Sequence, residues 1–461
     1  MERLKRSMKD NVATRWAILI TVAFVQGANY YFYDTISPLK VTLETNFGFS
    51  SSDFGLFVSM YSFPNTFLLM AIFGGIILDK IGIRRTGLTF ITLMTMGGVV
   101  TAYGASPMYT NGGPFYEIMA SFLPTYTPEL KMMLLGRFIF GLGAETSIVV
   151  ISKTIVKWFK GKELALAFGT KIGIARLGSA AAFFYTVPIS NSASHWTMAI
   201  WFSVLLLGIG LLAFLVYTFF DRKLDKQITP DAKLTAPDKF KMSDLVNLLT
   251  NRSFIFVTLL CLTFYSAVFP FQSFSADFFL NKYGSIDQEL SGKIAAILAV
   301  GTFTFTPLFG LVIDRFGRSA SFMILGSAMI VLIYMAFAFT NIHPSIPQVL
   351  LGVAFALVPA AMWPSVAKII DESKIGTAYG AMFSIQNLGL WAFPLLIGIV
   401  LDRTNPGITA ETIKAGATYD YTWVLMMLAT LGFLGIAFAI LLKREDKRSG
   451  YGLELPSNKK K

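Results

Sequence analysis

Apolar runs of about 20 residues recur along this chain from near its start to near its end, and that is the length a helix rising about 1.5 Å per residue needs to cross a hydrocarbon core of about 30 Å. Such a core offers no water to the backbone, so each run has to satisfy its own polar groups as a helix. We count twelve runs, at residues 16–37, 54–78, 86–105, 131–155, 163–187, 196–220, 253–280, 289–313, 320–340, 346–370, 376–400 and 421–442. Composition agrees: 54% of the 461 residues are hydrophobic and only 14% are charged, which excludes an ordinary soluble globule. The expected fold is an all-α membrane protein with twelve transmembrane helices. The opening MERLKRSMKDNVATR is basic and leads straight into the first run, so no cleavable leader is expected.

Charge placement orients the helices, because Lys and Arg collect in cytoplasmic loops near span ends. Of the 39 Lys and Arg residues, 29 fall on one side of the twelve-span layout, in the N-terminal tail, the 221–252 segment, the C-terminal tail and the short loops between even and odd spans. Both termini are therefore expected in the cytoplasm. This asymmetry, with anionic lipid headgroups, accounts for the net charge of +12 and removes the case for a nucleic-acid partner. The single Cys261 excludes an intrachain disulfide.

The one long polar interruption on that side, residues 221–252, separates six runs from six. The expected organisation is an N-terminal bundle over 1–220, a cytoplasmic linker over 221–252, a C-terminal bundle over 253–443 and a cytoplasmic tail over 444–461. A repeated signature supports the duplication: Gly75-x-x-x-Asp79-x-x-Gly82 followed by Arg84 and Arg85, and, 235 residues later, Gly310-x-x-x-Asp314-x-x-Gly317 followed by Arg318. Each copy follows the second run of its half. Glycine would let a neighbouring helix approach, Asp79 and Asp314 would accept hydrogen bonds from a helix N-terminus of the opposite half, and the arginines would anchor to headgroups or to Asp, so the expected role is a latch.

These residues resemble the major facilitator superfamily, whose known signature is this loop, over about residues 16–442. The stretches WFKGKELALAFG (158–169), ARLGS (175–179), AVFPF (267–271), WPSVA (363–367) and GTAYGAMFSIQNLGL (376–390) further resemble its dipeptide-transporter branch. The resemblance implies two pseudo-symmetric six-helix bundles and a carrier working by alternating access, with no cofactor and no metal.

Charged side chains in the core of a bilayer cost about 2.5–3.5 kcal/mol on insertion scales, so they face protein or a wet cavity and usually carry function. The stretch GRFIFGLGAETSIVVISK (136–153) holds Arg137, Glu145 and Lys153, and the next run holds Lys171 and Arg176. Glu145 and Arg176 are equidistant from the turn at Lys160-Gly161, which places both about 17 Å into the core, near its midplane. An acid and a base at one depth suit a zwitterion such as a short peptide, whose ends lie about 7 Å apart in an extended dipeptide. They also suit a structural ion pair, or a proton relay through Glu145. In the family resembled, the corresponding acid and arginine bind the amino and carboxyl ends of the peptide, and Glu145 within GLGAE and Arg176 within ARLGS match those positions. Arg137 is a candidate for proton coupling or for helix-to-helix hydrogen bonding. Lys153 is expected to snorkel to the cytoplasmic face, and Lys171 has no role assigned.

Tyr30, Tyr33 and Asp34 sit near the outer end of the first run, where an aromatic belt explains the tyrosines equally well, and Tyr33 and Asp34 match a Tyr-Asp pair of the family resembled, as a gate or amine contact. Trp363-Pro364 is expected to break the tenth run, and Phe269-Pro270-Phe271 to kink the seventh. Gln386 and Asn387 place two amides inside the eleventh, to pair with another helix or with a peptide ligand.

No enzyme constellation is visible: His195 and His343 are the only histidines, and no phosphate-cradling loop is present. The expected function is a secondary active or facilitative transporter of dipeptides or similar zwitterions. The alternatives are a proton-coupled organic-anion or sugar-phosphate carrier, in which Arg137, Lys171 and Arg176 clamp a dianion, and a non-transporting receptor of the same fold. Glu145 argues against the dianion. The tail is basic and lacks an acidic dileucine signal, and the only Asn-x-Ser/Thr acceptor, Asn251-Arg252-Ser253, falls on the cytoplasmic side. A monomer in a bacterial inner membrane is therefore expected rather than a lysosomal protein with a glycoprotein partner.

Overall fold

The computed structural model of the chain describes residues 8–227, 248, 250–371 and 374–456, so most of the expected linker and the last five residues of the tail lie outside the described residues. Every regular element among the described residues is a helix. The main ones are α1 (Val12–Thr35), α2 (Lys40–Phe47), α3 (Ser51–Met60), α4 (Phe63–Phe67), α5 (Met70–Ala105), α6 (Pro128–Phe159), α7 (Leu164–Ser192), α8 (Met198–Asp225), α9 (Arg252–Lys282), α10 (Gln288–Phe316), α11 (Ser319–Phe339), α12 (Ser345–Ile369), α13 (Ile375–Thr404) and α14 (Thr422–Ser449).

Among the described residues ten helices, α5 to α14, are long and apolar enough to cross a membrane. α1 falls outside that set; Arg15, Gln26, Asn29 and Asp34 lie buried along it. The expected second run, 54–78, is not one helix. It is divided among α3, α4 and the start of α5, with Leu69 at a φ of 49°, a left-handed conformation costly for a branched residue. The loop expected between the second and third runs is instead a bend within α5 at Gly82, where φ is 81° and ψ 167°, a region that glycine alone enters freely. The expected break at Trp363-Pro364 is likewise absent: α12 runs from Ser345 to Ile369 through both Pro359 and Pro364.

Two compact units form. One gathers α1, Phe67–Ala182 and the chain from Ile189 through α8; the other gathers Ile36–Thr66, Phe183–Pro188 and the helices from α9 onward. In the first unit α5 and α6 meet at glycines: a Cβ on Gly143 would lie 2.3 Å from Met94 N and 2.4 Å from Phe90 O, and one on Gly97 would lie 2.2 Å from Phe140 N. α1 and α7 meet in the same way where Gly178 faces the Gly27 carbonyl. In the second unit α3 packs on α13, with the Gly55 Cα over the Pro394 carbonyl and the backbone N–H groups of Ser51 and Ser52 donating to Asp402 at 3.0 and 2.8 Å. The segment 36–66 therefore groups by contact with the C-terminal helices, a different partition from the six-plus-six duplication read in the sequence.

Candidate functional site

The first unit gathers the charged residues singled out in the sequence. Arg137, only 1% exposed, donates from Nη2 to the Tyr33 carbonyl at 3.0 Å and holds its guanidinium 4.8 Å from the centre of the Tyr33 ring. Close helix packing at Gly97 and Gly136 sets α6, and with it Arg137, against its neighbours. Arg176 places its guanidinium 5.6 Å from the centre of the Tyr30 ring. Tyr30 lies within electrostatic reach of Arg176, Glu145 and Asp34 together, and Asp34 is hydrogen-bonded to Ser179 and within reach of both arginines. Two guanidinium groups, two carboxyls and two phenols from α1, α6 and α7 thus converge. An ammonium and a carboxylate carried by one ligand could both be met there. Lys171 is not part of the cluster: it is buried and donates to Ser152 Oγ at 2.8 Å.

The second unit assembles the aromatic and amide set. Trp363 Nε1 donates to the Tyr265 hydroxyl at 3.0 Å, its ring stacks 4.7 Å from Phe383, and the Tyr379 hydroxyl donates to its carbonyl at 3.0 Å. Gln386 accepts from the Cys261 thiol at 3.4 Å, pairing with another helix. Asn387 Nδ2 donates to Phe383 O at 2.9 Å along its own helix, while its Oδ1 is buried without a hydrogen-bond partner.

The two signatures differ from expectation. No atom lies within 4 Å of a Cβ built on Gly75 or Gly310, so these glycines do not serve a close helix approach. The glycines that matter are Gly82 and Gly317, at φ 81° and 70°. Asp79 accepts from Lys153, both side chains partly exposed, within the first unit. Arg84 reaches Asp221 at 3.1 Å and Asp225 at 2.6 Å, and Lys157 binds the same two carboxylates at 2.7 and 2.6 Å, tying α5, α6 and α8 together. Arg85 is exposed, as are Asp314 and Arg318. In the second copy the tail beyond α14 folds back onto the loop: Glu454 O accepts from Arg318 N at 3.1 Å, Leu453 O accepts from Ser319 N at 3.0 Å, and the Glu454 carboxylate accepts from Ser321 N at 2.9 Å. A side chain on Gly317 would meet Leu455 C at 2.5 Å, so this glycine is required by the tail as much as by its φ.

Sequence reasoning missed one cluster altogether. Lys40 on α2 is fully buried and donates to Glu44 at 2.6 Å and to Asp277, at the far end of α9, at 2.9 Å. Tyr419 donates to Glu44 at 3.0 Å, Tyr421 donates to Asp277, and the Lys40 ammonium lies 4.3 Å from the centre of the Tyr419 ring. The signals in the sequence were a charged pair spaced i, i+4 in what reads as a loop and Asp277 near the end of the seventh run.

Among the described residues no group of three or more His, Cys, Asp or Glu is placed to hold a metal. Long apolar helices with buried charges converging inside one unit define a membrane transporter, and the chain belongs to the major facilitator superfamily, whose family model matches residues 22–394 and 278–459. It is a transporter and not an enzyme. Within the superfamily it falls in the branch of the proteins named lysosomal dipeptide transporter MFSD1: it is 30% identical to that of Homo sapiens over 406 residues, 85% of this chain and 81% of the relative, and 31% identical to that of Mus musculus with the same coverage. Its fold also superposes on a D-xylose-proton symporter, with a TM-score of 0.67 over 96% of this chain and 98% of the other at 14% identity.

Proposed function

We propose that the chain carries dipeptides or similar short zwitterionic peptides across the membrane, as a secondary active or facilitative transporter working by alternating access. The observation that carries this is the convergence of Glu145, Asp34, Arg137 and Arg176 with Tyr30 and Tyr33 in one unit. Glu145 is assigned to the substrate ammonium and Arg176 to its carboxylate, with Tyr33 and Asp34 beside them and Arg137 and Glu145 as candidates for proton coupling. The names of the relatives support the same substrate class. In the second unit Asn387 Oδ1, buried and without a partner, is an acceptor suited to a peptide N–H, next to Gln386 and near Trp363.

The architecture proposed for this function has twelve crossings, six in each duplicated half, and cytoplasmic termini. Dividing α5 at Gly82, joining its first part to the α3–α4 segment as one crossing and counting α1 as another brings the ten long helices to that number. A gating role for Asp79, Arg84, Arg85, Asp314 and Arg318 rests on the pairing of Asp79 with Lys153, the Arg84 network and the tail held at Arg318. The inner cell membrane expected above finds no support in the relatives, which are named lysosomal. A monomer without an accessory glycoprotein is proposed for the same membrane.

The test is thermal stabilisation of detergent-purified protein by a panel of free-ended dipeptides, capped dipeptides, free amino acids and sugar phosphates, because a ligand of the folded state raises stability in proportion to ln(1 + [L]/Kd). Stabilisation by free-ended dipeptides alone is expected. Stabilisation by sugar phosphates alone would replace the peptide reading with a dianion clamp.

A further inference from the structure

The Lys40 cluster lies apart from the proposed substrate residues and is built unlike a simple ion pair. One ammonium faces two carboxylates, so the group carries an excess negative charge, and Lys40, Glu44 and Asp277 are 0%, 1% and 4% exposed. Each carboxylate turns only one oxygen to its donors. Lys40, Tyr419 and Ser51 all donate to Glu44 Oε1, and Lys40 and Tyr421 both donate to Asp277 Oδ2, while Glu44 Oε2 and Asp277 Oδ1 are buried without a hydrogen-bond partner. Buried, uncompensated charge of this kind is relieved by binding a cation or a proton. The crevice beside Lys40 and Asp277, walled by Ser37, Pro38, Ala276 and Gln288, has no room for a water-sized sphere, so on that side the cluster has space for a proton and not for a hydrated cation.

We propose that Lys40, Glu44 and Asp277 form a proton-binding site, in which one proton on the carboxyl pair completes the tie between α2, the end of α9 and the segment entering α14. Burial, opposed by Lys40 and reinforced by Asp277, pushes the Glu44 carboxyl up to about 7 from its ordinary 4.5. The other groups around it do not supply the missing charge. Tyr419 and Tyr421 are neutral donors, and Glu411 and Lys414 on the short helix 410–414 that packs on α2 are exposed. Asp402 is engaged by Ser51 and Ser52, and Asp53 by Ser50. The strength of the tie then follows the pH of the compartment it faces, whatever the substrate.

Because the carboxyl is raised in the fold, the folded protein holds more protons than the unfolded chain between about 4.5 and about 7, so stability is fullest at low pH and is lost as pH rises through about 7. The experiment is melting of the purified full chain, without substrate, across that range, for wild type, Glu44→Gln and Asp277→Asn. Either substitution leaves a neutral pair with Lys40 that needs no proton. The wild-type melting temperature is expected to fall by several degrees with rising pH, and each variant to lose most of that fall while melting at least as high as wild type at the alkaline end. The variants report separately, so either one that folds decides the matter. A wild type whose melting does not fall, or a folded variant that keeps the full slope, overturns the proposal. Substrate binding does not enter the readout, so the peptide assignment stands or fails independently.

Discussion

A carboxylate and a guanidinium inside bilayer-length helices are tolerable only if something repays their dehydration, and a zwitterionic ligand can do so only end by end. Glu145→Gln removes the negative charge at one end while keeping the side chain's shape. A hydrogen bond to a charged group is worth about 1.5–3 kcal/mol, so affinity for dipeptides with a free amino end should fall about 10- to 100-fold, and that for amino-acetylated dipeptides should stay the same. Arg176→Lys keeps the charge but loses the planar fork, so the mirror-image loss should appear for free carboxylates and not for amidated peptides. Binding isotherms on the four peptide types check both, and equal losses across all four would return the two residues to a structural role. These residues were legible in the sequence because a charge stands out in an apolar run. Lys40 and Glu44 were not, because they read as loop residues, and Asp277, although inside the seventh run, was passed over because its partner Lys40 lies 237 positions away. Hydropathy marks a charge that interrupts a span, but it cannot mark one that a fold buries beside it.

The elements themselves were legible wherever the apolar run was unbroken, and least so between residues 60 and 85. FLLMAIFGGIIL reads as continuous helix, yet the chain turns at Leu69, a backbone event that hydropathy does not record, whereas the bend at Gly82 falls where the runs left a loop. Glycine roles were misassigned for a related reason. The signature drew attention to Gly75 and Gly310, where a Cβ would meet nothing within 4 Å, whereas Gly143, quoted only as part of the stretch that holds Glu145, is where α6 reaches α5. Gly143→Ala sets a methyl 2.3 Å from Met94 N and 2.4 Å from Phe90 O, backbone atoms that cannot rotate away. Overpacking of this sort costs about 1–3 kcal/mol or more, exceeding the gain of about 1 kcal/mol in helix propensity. Gly169→Ala on α7, with nothing within 4 Å, keeps only the gain. The first variant should melt lower than wild type and the second the same or higher, as read by fluorescence-detected size-exclusion after heating. Equal melting of the two would mean that α5 and α6 are not pressed together at Gly143.

At the scale of the molecule, a fold shared with a sugar symporter at 14% identity shows how little of the architecture depends on particular side chains. Patterning and charge asymmetry made the class readable, and the relatives place the branch, but neither counts the crossings in the first 105 residues. There α1 carries buried polar groups, the second run is in pieces and α5 bends at its middle. The two ways of counting differ in a measurable respect. If α1, the α3–α4 segment and both parts of α5 each cross or complete a crossing, Asn46 faces one side of the membrane while Arg85 and Lys160 face the other; if only the ten long helices cross, Asn46 and Lys160 share a side and Arg85 lies within the bilayer. All three are exposed, and the single native Cys261 is buried out of reach of a charged reagent. Asn46→Cys, Arg85→Cys and Lys160→Cys, probed in sealed vesicles with a membrane-impermeant maleimide, should therefore label Arg85→Cys and Lys160→Cys from one face and Asn46→Cys only from the other. Labelling of Asn46→Cys and Lys160→Cys from the same face would remove α1 as a crossing, and with it the six-plus-six reading on which alternating access was proposed.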